Sequence, residues 1–392
     1  MDHRSIFADS LVLPRSLAIV NSGALIAEDQ ILWYMEDTDG DNKSDLKILV
    51  DSTYGKKGVV EHSPNGLWRG MDNWYYNAKS DRRYRFDGEK WIKQKTEFRG
   101  QWGVSHDNFG RLYYNYNWSQ LHADLVPPNY LFANTNHIAT SGVDHAVSQD
   151  RRIFPIRENP AVNRGYIPGT LDQNGRLVEF TSACAPYIYR GDLFDPEVVG
   201  DAFVCEPTGN LIKQNSITQE GIYPVAQPAY DAHEFLASSD ERFRPVWITS
   251  GPDGALYIAD MYRGIIQHGP YMSPYLREMI LKRQLDKHIN YGRIWRIVPK
   301  GQQVSVKNPP ATRSIPDLIK LLEHSNGWYR DMAQRLLIER NDTTAVDLII
   351  AMIQQSNDEL AQLHGIWTLY GLGCADSEFY VELLGSDHPR VQ

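Results

Sequence analysis

The strongest constraint on the fold is a hairpin signature that recurs along the first three hundred residues. In each copy, a glycine in a short polar turn is followed within two positions by a leucine that begins an apolar strand. The six glycines are Gly23, Gly66, Gly110, Gly175, Gly209 and Gly254. Glycine supplies the positive φ that tight hairpin turns need. The repetition therefore predicts an all-β fold of many short antiparallel strands.

The spacing of these glycines narrows the prediction to one architecture. Successive glycines are 43, 44, 65, 34 and 45 residues apart. Three of the intervals are close to the ~40–50 residues that one blade of a β-propeller occupies. The 65-residue interval contains a polar insertion around residues 119–165, which we interpret as a rim loop. The pattern predicts a β-propeller over residues 1–300.

The clearest copy of the signature lies between Phe243 and His268. The turn Gly251–Gly254 is followed by alternating apolar residues, Leu256 and Ile258, which place one face of the strand in a core. The strand then ends in charged and polar residues, namely Asp260, Arg263 and His268. Loops on a rigid sheet scaffold commonly carry binding and catalytic residues. We therefore expect this end of the strand to lie at a functional rim.

Composition excludes some functions. A net charge of −9 argues against nucleic acid as a partner. No stretch approaches the roughly 20 apolar residues of a membrane helix, and Met1 leads directly into Asp2-His3-Arg4 rather than into a signal peptide. The 10 Trp and 22 Tyr either cover sugars or flat cofactors or, as we favour, pack the β core.

The sequence does not decide whether two of its three cysteines form a disulfide. Cys184, Cys205 and Cys374 form no CxxC or CxxCH pattern, so neither a zinc site nor an attached c-type haem is encoded in this sequence. Cys184 and Cys205 lie in neighbouring predicted strands. Two interpretations are open for them, a disulfide in an oxidising compartment and a pair of buried thiols.

The chain changes from β to α periodicity after the linker at residues 301–314, which contains Pro309-Pro310. Residues 315–392 carry apolar stripes at helical spacing, separated by short polar breaks. Helices of this length commonly stack in pairs, so the stripes predict a HEAT-like or armadillo-like repeat segment. By itself such a segment predicts only a spacer or a docking surface.

An acidic hairpin offers a candidate metal site. Asp37, Asp39, Asp41 and Asp45 occupy positions 1, 3, 5 and 9 of one short loop. Ca²⁺ prefers several oxygen ligands from such a loop, although the sequence does not follow the EF-hand pattern. The alternative is an acidic turn between two strands, without a metal. Four unpaired carboxylates this close repel one another unless a cation is bound.

Several stretches resemble one known family. They read FADSLVLPRSL, DTDGDNKSD, NGLWRGMDNWYYNA, QWGVSHDNFGRLYYN, NRGYIPGTL, EFLASSDERFRPV, GPDGALYIADMYRGIIQH and YGRIWRIV, and they span most of residues 6–298. The family is that of large secreted proteins of planctomycetes and verrucomicrobia described as membrane-bound dehydrogenases. Their propeller is similar to that of soluble quinoprotein glucose and sorbosone dehydrogenases.

The resemblance implies an organisation beyond this chain. It implies a propeller of six blades in the intact protein, HEAT-like helices and often a C-terminal haem domain with a CxxCH motif. We expect this chain to be a fragment that starts inside the N-terminal blade and lacks the haem domain. The family also implies a periplasmic or secreted location.

The resemblance further implies a site. His106 would act as general base on a substrate hydroxyl, and Arg164, in a loop similar to one that faces the quinone, would assist it. Arg244 and Arg263 would pair with the carboxylates of pyrroloquinoline quinone (PQQ), and Asp260 would orient one of these arginines. The alternatives are a hydrogen-bonded turn histidine and ordinary surface or inter-blade ion pairs.

Two functions follow. The first is an oxidoreductase that dehydrogenates sugars or other alcohols with PQQ, and with Ca²⁺ as a second cofactor, and passes electrons to a haem domain or cytochrome acceptor. The second is a non-catalytic propeller and solenoid that bind polysaccharide or a protein partner. Convergence of His106, Arg164, Arg244 and Arg263 on one pocket would favour the enzyme, and scatter would favour the binding module.

Overall fold

The computed structural model describes residues 4–55, 60–132, 134, 136, 141–302, 304, 310–374 and 377–391. The chain divides into two compact units. The first comprises residues 1–98, 108–110 and 303–392, and the second comprises residues 99–107 and 111–302. Residues 303 and 305–309 of the predicted linker, which include Pro309, lie outside the described residues.

The β part of the first unit consists of two antiparallel sheets whose strands follow chain order. The first sheet contains β1 (Pro14–Val20), β2 (Gly23–Glu28), β3 (Ile31–Glu36) and β4 (Leu46–Asp51). The second contains β5 (Asn65–Arg69), β6 (Tyr75–Ala78), β7 (Ser80–Phe86) and β8 (Trp91–Arg99). Gly23 is required by close approach, because a Cβ there would lie 2.1 Å from the Met35 carbonyl oxygen.

The second unit holds three further sheets. One contains β9 (Val104–His106), β10 (Leu112–Tyr116), β11 (Ser119–Ala123) and β12 (His145–Ala146). The next contains β13 (Cys184–Ile188), β14 (Ala202–Glu206), β15 (Leu211–Glu220) and β16 (Tyr223–Pro228), with β17 (Leu236–Ala237) paired to β15. The last contains β18 (Pro245–Ser250), β19 (Leu256–Asp260) and β20 (Arg293–Ile297). Helix α1 (Pro274–Arg283) lies between β19 and β20.

The first strands of successive sheets lie side by side within each unit. β1 contacts β5 in the first unit, and β13 contacts both β9 and β18 in the second. Innermost strands of propeller blades meet in this way. The described residues thus supply five propeller blades, which confirms the predicted β-propeller class. Six blades in the intact protein stay a prediction, and the expectation of an incomplete first blade is wrong because that sheet has four strands.

Five helices follow the sheets and belong to the first unit. They are α2 (Ile315–Leu321), α3 (Gly327–Arg340), α4 (Ala345–Gln355), α5 (Glu359–Leu372) and α6 (Ser377–Leu383). The side chains of Ser314, Asn326 and Asp358 cap α2, α3 and α5 by accepting from backbone N–H groups. The predicted stripes bury Leu318, Leu337 and Ile349 in one core. The HEAT-like nature of the helices stays a prediction.

Helices α3 and α5 are joined to the β part of the same unit by buried polar side chains. Gln334 Nε2 donates to the Met71 carbonyl oxygen at 2.8 Å and to Asn73 Oδ1 at 2.7 Å. Asn73 Nδ2 donates in turn to the Trp367 carbonyl oxygen at 2.9 Å. Buried polar groups need such partners, so these bonds fix the helices in one position. Within the described part of the chain, no helix is both long and apolar enough to span a bilayer.

Candidate functional site

Of the predicted site residues, His106 and Asp260 are the most buried. His106 ends β9, and its residue exposure is 2%. Its ring contacts Arg190, which follows β13 and is 5% exposed. Arg190 Nη1 lies 2.9 Å from His106 Nδ1 and 3.2 Å from Nε2. Strands β9 and β13 therefore bring an imidazole and a guanidinium together at their carboxyl ends.

The hydrogen bonds of His106 indicate its tautomer. The Asp107 carbonyl oxygen lies 2.7 Å from Nδ1. A carbonyl oxygen only accepts and a guanidinium only donates. Although Arg190 Nη1 lies nearer to Nδ1, both residues bond to a neutral ring only if Nδ1 donates to the Asp107 carbonyl oxygen and Nε2 accepts from Arg190. A neighbouring cation disfavours a second positive charge on the ring. The arrangement thus favours a neutral imidazole, which is the form a general base requires.

Tyr189 anchors the loop that carries Arg190. Its hydroxyl donates to the Gly254 carbonyl oxygen at 2.7 Å and accepts from the backbone N–H groups of Leu193 and Phe194 at 3.1 and 3.2 Å. Burial raises the pKa of Tyr189 to about 12, so the hydroxyl stays protonated at neutral pH. Gly254 has φ +73°, and a Cβ there would lie 2.8 Å from the Leu193 backbone nitrogen. Only glycine fits this turn without strain.

Strands β13 and β18 run in the same direction, because successive residues of one contact successive residues of the other. The successive contacts are Cys184 with Pro245, Tyr187 with Ser250, and Tyr189 with Gly254. We call the carboxyl ends of β9, β13 and β18, with His106 and Arg190, the His106 end. We call the opposite end, where Arg244 precedes β18, the Arg244 end.

Arg244 immediately precedes β18, and each of its three guanidinium nitrogens donates to a backbone carbonyl group. Its guanidinium donates to the carbonyl oxygens of Arg263 at 3.0 Å, Pro207 at 2.7 Å and Gly264 at 2.7 Å. Burial lowers the pKa of Arg244 to about 10, against the opposing effect of the Glu241 charge. The side chain remains charged at neutral pH, and these contacts are those of a structural arginine.

The Asp260 carboxylate accepts several hydrogen bonds at the Arg244 end. It accepts from the backbone N–H groups of Arg244 and Tyr262, both at 2.8 Å. It also accepts from Arg293 Nε at 3.0 Å and Trp295 Nε1 at 3.1 Å. The arginine side chain that Asp260 orients is therefore that of Arg293. Arg263, half-buried, contributes its carbonyl oxygen to Arg244. Cofactor binding by Arg244, Asp260 and Arg263 stays a prediction.

Arg164 is exposed on a loop held by helix α1. The neighbouring Asn163 accepts from the Ser273 backbone N–H at 2.9 Å, and Ser273 caps the start of α1. Leu276 of α1 packs with Ile265, two residues beyond Arg263. These contacts place Arg164 with the Arg244 end. The structure thus brings the three predicted arginines to one end and His106 to the other. The four residues do not converge on one pocket, which is the outcome expected of the binding module.

The acidic hairpin in the first unit brings together three of its four carboxylates. One oxygen each from Asp37, Asp39 and Asp41 lies within 4.8 Å of the others. Asp45 instead accepts from Thr38 N at 3.0 Å and Thr38 Oγ1 at 2.7 Å, and these hydrogen bonds lower the pKa of Asp45. Asp37, Asp39 and Asp41 fit a hard cation, while Asp45 shapes the loop.

A family model matches residues 1–301 and is described as "Domain of unknown function (DUF7133)". The chain belongs to this family. None of the curated proteins matches the sequence.

Solved structures similar to this DUF7133 chain include sugar dehydrogenases. The PQQ-bound form of aldose sugar dehydrogenase from Streptomyces coelicolor is 14% identical, with 67% of this chain and 93% of that chain covered and a TM-score of 0.32. The soluble aldose sugar dehydrogenase from Escherichia coli, in the apo form, is 11% identical, with coverages of 65% and 95% and a TM-score of 0.32. A luciferin-regenerating enzyme is 12% identical, with coverages of 75% and 79% and a TM-score of 0.37.

Sequence reasoning missed Arg190. A signal was available, since Arg190-Gly191-Asp192 follows the apolar run CAPYIY at the end of a predicted strand. Charged residues beside glycine at a strand end mark a rim loop, as they do at Asp260. The partner of His106 was not deducible, because the two residues belong to different blades.

The Arg244 end also bears an open cleft of about 720 Å³. Its lining is mostly polar and consists of Ile156, Arg157, Glu158, Gln173, Asn174, Gly175 and Arg176. Arg157 lies at its floor, where it pairs with Glu241 at 3.3 Å and donates to Asn210 Oδ1 at 3.1 Å. Such a lining of amides and charges suits a ligand with many hydroxyl groups.

Proposed function

We propose that the DUF7133 chain is an oxidoreductase that dehydrogenates sugars or other alcohols at the His106 end. The observation that carries this proposal is the buried contact between His106 and Arg190. The imidazole and the permanent cation lie side by side and are 2% and 5% exposed, so they share one water-poor site. Charges and hydrogen bonds act more strongly in such a site than in water.

His106 acts as the general base. Its Nε2 lone pair takes the proton of the substrate hydroxyl, while the hydrogen on Nδ1 stays bonded to the Asp107 carbonyl oxygen. In the substrate complex, the hydroxyl replaces the Arg190 N–H that faces Nε2 in the free chain. As the imidazole becomes positive, hydrogen bonding at Nδ1 keeps the ring oriented.

Arg190 is the residue that fits a quinone cofactor. A guanidinium pairs with carboxylate or quinone oxygens. That of Arg190 lies beside His106, whereas that of Arg244 donates to three backbone carbonyl groups. PQQ, when bound there, supplies the hydride acceptor. We assign cofactor contact to Arg190 and a supporting role to Arg244 and Asp260. Electrons would leave through a haem domain or a separate cytochrome, in a periplasmic or secreted setting.

Ca²⁺ has a distinct place in this proposal. The carboxylates of Asp37, Asp39 and Asp41 would hold it in the first unit, where it would stabilise the hairpin between β3 and β4. Asp45 would support the loop through Thr38. The His106 end takes no part in that site.

The test is a dye-linked assay of the whole chain with PQQ and Ca²⁺ and a panel of aldoses and simple alcohols. We expect dye reduction that requires both PQQ and a substrate. Absence of PQQ binding by calorimetry, with no dye reduction on any substrate, would refute the proposal.

A second function is favoured by the polar cleft at the Arg244 end. Because the predicted arginines gather there without His106, the chain has a surface for binding polysaccharide that needs no catalysis. Calorimetry with neutral and acidic oligosaccharides tests it. Binding that is lost in Arg176→Ala but kept in His106→Gln, in a chain without dye reduction, would establish the binding module in place of the enzyme.

A further inference from the structure

Two cysteine side chains face each other in the second unit. Cys184 begins β13, and its register partner across the antiparallel pair is Cys205 of β14. The residues are 8% and 0% exposed. Burial raises the pKa of the Cys205 thiol, and a hydrogen bond with the Cys184 thiol raises it further. The two sulfur atoms are therefore within hydrogen-bonding reach, in a site closed to solvent.

This placement meets the backbone requirement for a disulfide. Directly opposed residues of antiparallel strands have Cα atoms about 4.5–5.5 Å apart, within the roughly 4.4–6.8 Å range of disulfides. The register shifts between Cys184 and Tyr187, and Ala185 has φ +49°. A bulge next to Cys184 allows the local adjustment that a cross-strand bond requires.

We infer that Cys184 and Cys205 are joined by a disulfide when the chain folds in an oxidising compartment. The inference rests on the strand register and does not depend on the proposed activity. It also chooses between the two interpretations that the sequence left open. In the structure Cys184, Cys205 and Cys374 are all free thiols. On this inference only the exposed Cys374 would remain one in the oxidised chain.

The chemistry requires an oxidant of the disulfide class, such as oxidised glutathione or a protein disulfide. The thiolate of one cysteine attacks a sulfur of the oxidant, forms a mixed disulfide and releases one thiol. The second thiolate then attacks the protein sulfur of the mixed disulfide and releases the other thiol. The two cysteines lose two electrons and two protons, and the oxidant gains them.

Burial determines when the bond forms. The thiolate is the reactive species, and both the closed site and the raised pKa of Cys205 suppress it in the folded chain. The exchange must therefore take place during folding, before the packing of β13 and β14 buries Cys205. Once formed, the bond resists reductants that cannot enter the core. It fixes β13 beside its bulge, and the same strand leads to Arg190.

The test is a thiol count on chain refolded with oxidised and reduced glutathione and then denatured without reductant. We expect one reactive thiol per chain before reduction and three after it, the third matching the cysteine content. A peptide that links Cys184 to Cys205 should appear by mass spectrometry of the unreduced digest. Three thiols before reduction would overturn the inference.

Matched variants separate the bond from general effects of mutation. Cys374→Ser should lower the unreduced count to zero, and the Cys184→Ser/Cys205→Ser pair should leave it at one. Reduction in denaturant followed by refolding should lower the melting temperature of Cys374→Ser on the order of 5 °C, and that of the double variant not at all. If the double variant fails to fold, the wild-type count still decides.

Discussion

Two arginines of the second unit are equally buried and differ in their partners. Arg190 and Arg244 are both 5% exposed. Arg244 donates to three backbone carbonyl groups in the loops that follow β14 and β19. Arg190 instead contacts a side chain, His106, on a loop anchored by Tyr189. Burial alone thus does not separate a structural arginine from a candidate functional one. We base the contrast on position, because Arg190 lies beside the predicted general base, whereas Arg244 bonds to backbone carbonyl groups that follow β14 and β19.

The largest effect should come from the His106 end. His106→Gln removes the proton acceptor, and general bases contribute about 10²–10⁴-fold. We expect kcat/KM for dye-linked sugar oxidation to fall about 1,000-fold, with an unchanged melting temperature. The exposed His233→Gln is the control and should retain full activity. Activity within threefold of wild type in His106→Gln would remove His106 from the chemistry.

The second-largest effect should come from Arg244, whose structural role distinguishes it from Arg190. Arg244→Met leaves the carbonyl groups of Pro207, Arg263 and Gly264 without their donor. We expect the free energy of unfolding in urea to fall by about 3 kcal/mol. The exposed Arg176→Met should change it by less than about 0.5 kcal/mol. A stable, inactive Arg244→Met would contradict the structural role and move the cofactor site to the Arg244 end.

Asp51 in the first unit is, like Arg244, a buried charged residue with several hydrogen-bond partners. We expect its contribution to the stability of the fold to depend on pH. Burial alone would raise the pKa of Asp51, but hydrogen bonds from Thr53, Tyr84 and Lys93 outweigh it and lower the pKa to about 2. A lowered folded-state pKa stabilises the fold above the unfolded value near 4.

That stabilisation, about 2 kcal/mol, should be lost as pH falls from about 4 to about 2. Asp51→Asn should remove this component of the pH dependence in urea unfolding curves, and the exposed Asp81→Asn should keep it. An identical acid profile for Asp51→Asn and wild type would show that the cluster does not stabilise the folded state as described.

The smallest effect concerns the acidic hairpin. Saturating Ca²⁺ should raise the melting temperature by about 2 °C, equivalent to about 1 kcal/mol. Asp39→Asn should abolish the rise, whereas Asp45→Asn should retain part of it because the Asp45 carboxylate bonds to Thr38. Equal responses of wild type and Asp39→Asn to Ca²⁺ would exclude the site.

The sequence predicted the architecture because hairpin turns and strand alternation are local properties. Gly66, Gly110, Gly175 and Gly254 have positive φ as expected, whereas Gly23 is required by contact with Met35. The helical stripes were equally local, and Leu318, Leu337 and Ile349 are buried as predicted. The attachment of α3 through Gln334 depends on Asn73, far away in the chain, and no local pattern reveals it.

The site was less predictable for the same reason. The sequence places Asp260 at the end of a strand, and β19 does end there. It does not show which strand ends share a side of the sheet. Arg244 precedes β18 and His106 ends β9, so they lie at opposite ends. Arg190 was missed because its contact with His106 joins two blades. Pairing between blades is a tertiary property that single-sequence patterns do not contain.

The most direct measurement is the equilibrium affinity for PQQ of the wild type, Arg190→Gln and Arg263→Gln, each shown to be folded by its melting temperature. The account places the quinone against the guanidinium beside His106. It predicts a dissociation constant at least about tenfold weaker for Arg190→Gln, which is the loss of about 1.4 kcal/mol, and an unchanged value for Arg263→Gln. The reverse order, with Arg190→Gln binding as the wild type does, would contradict it.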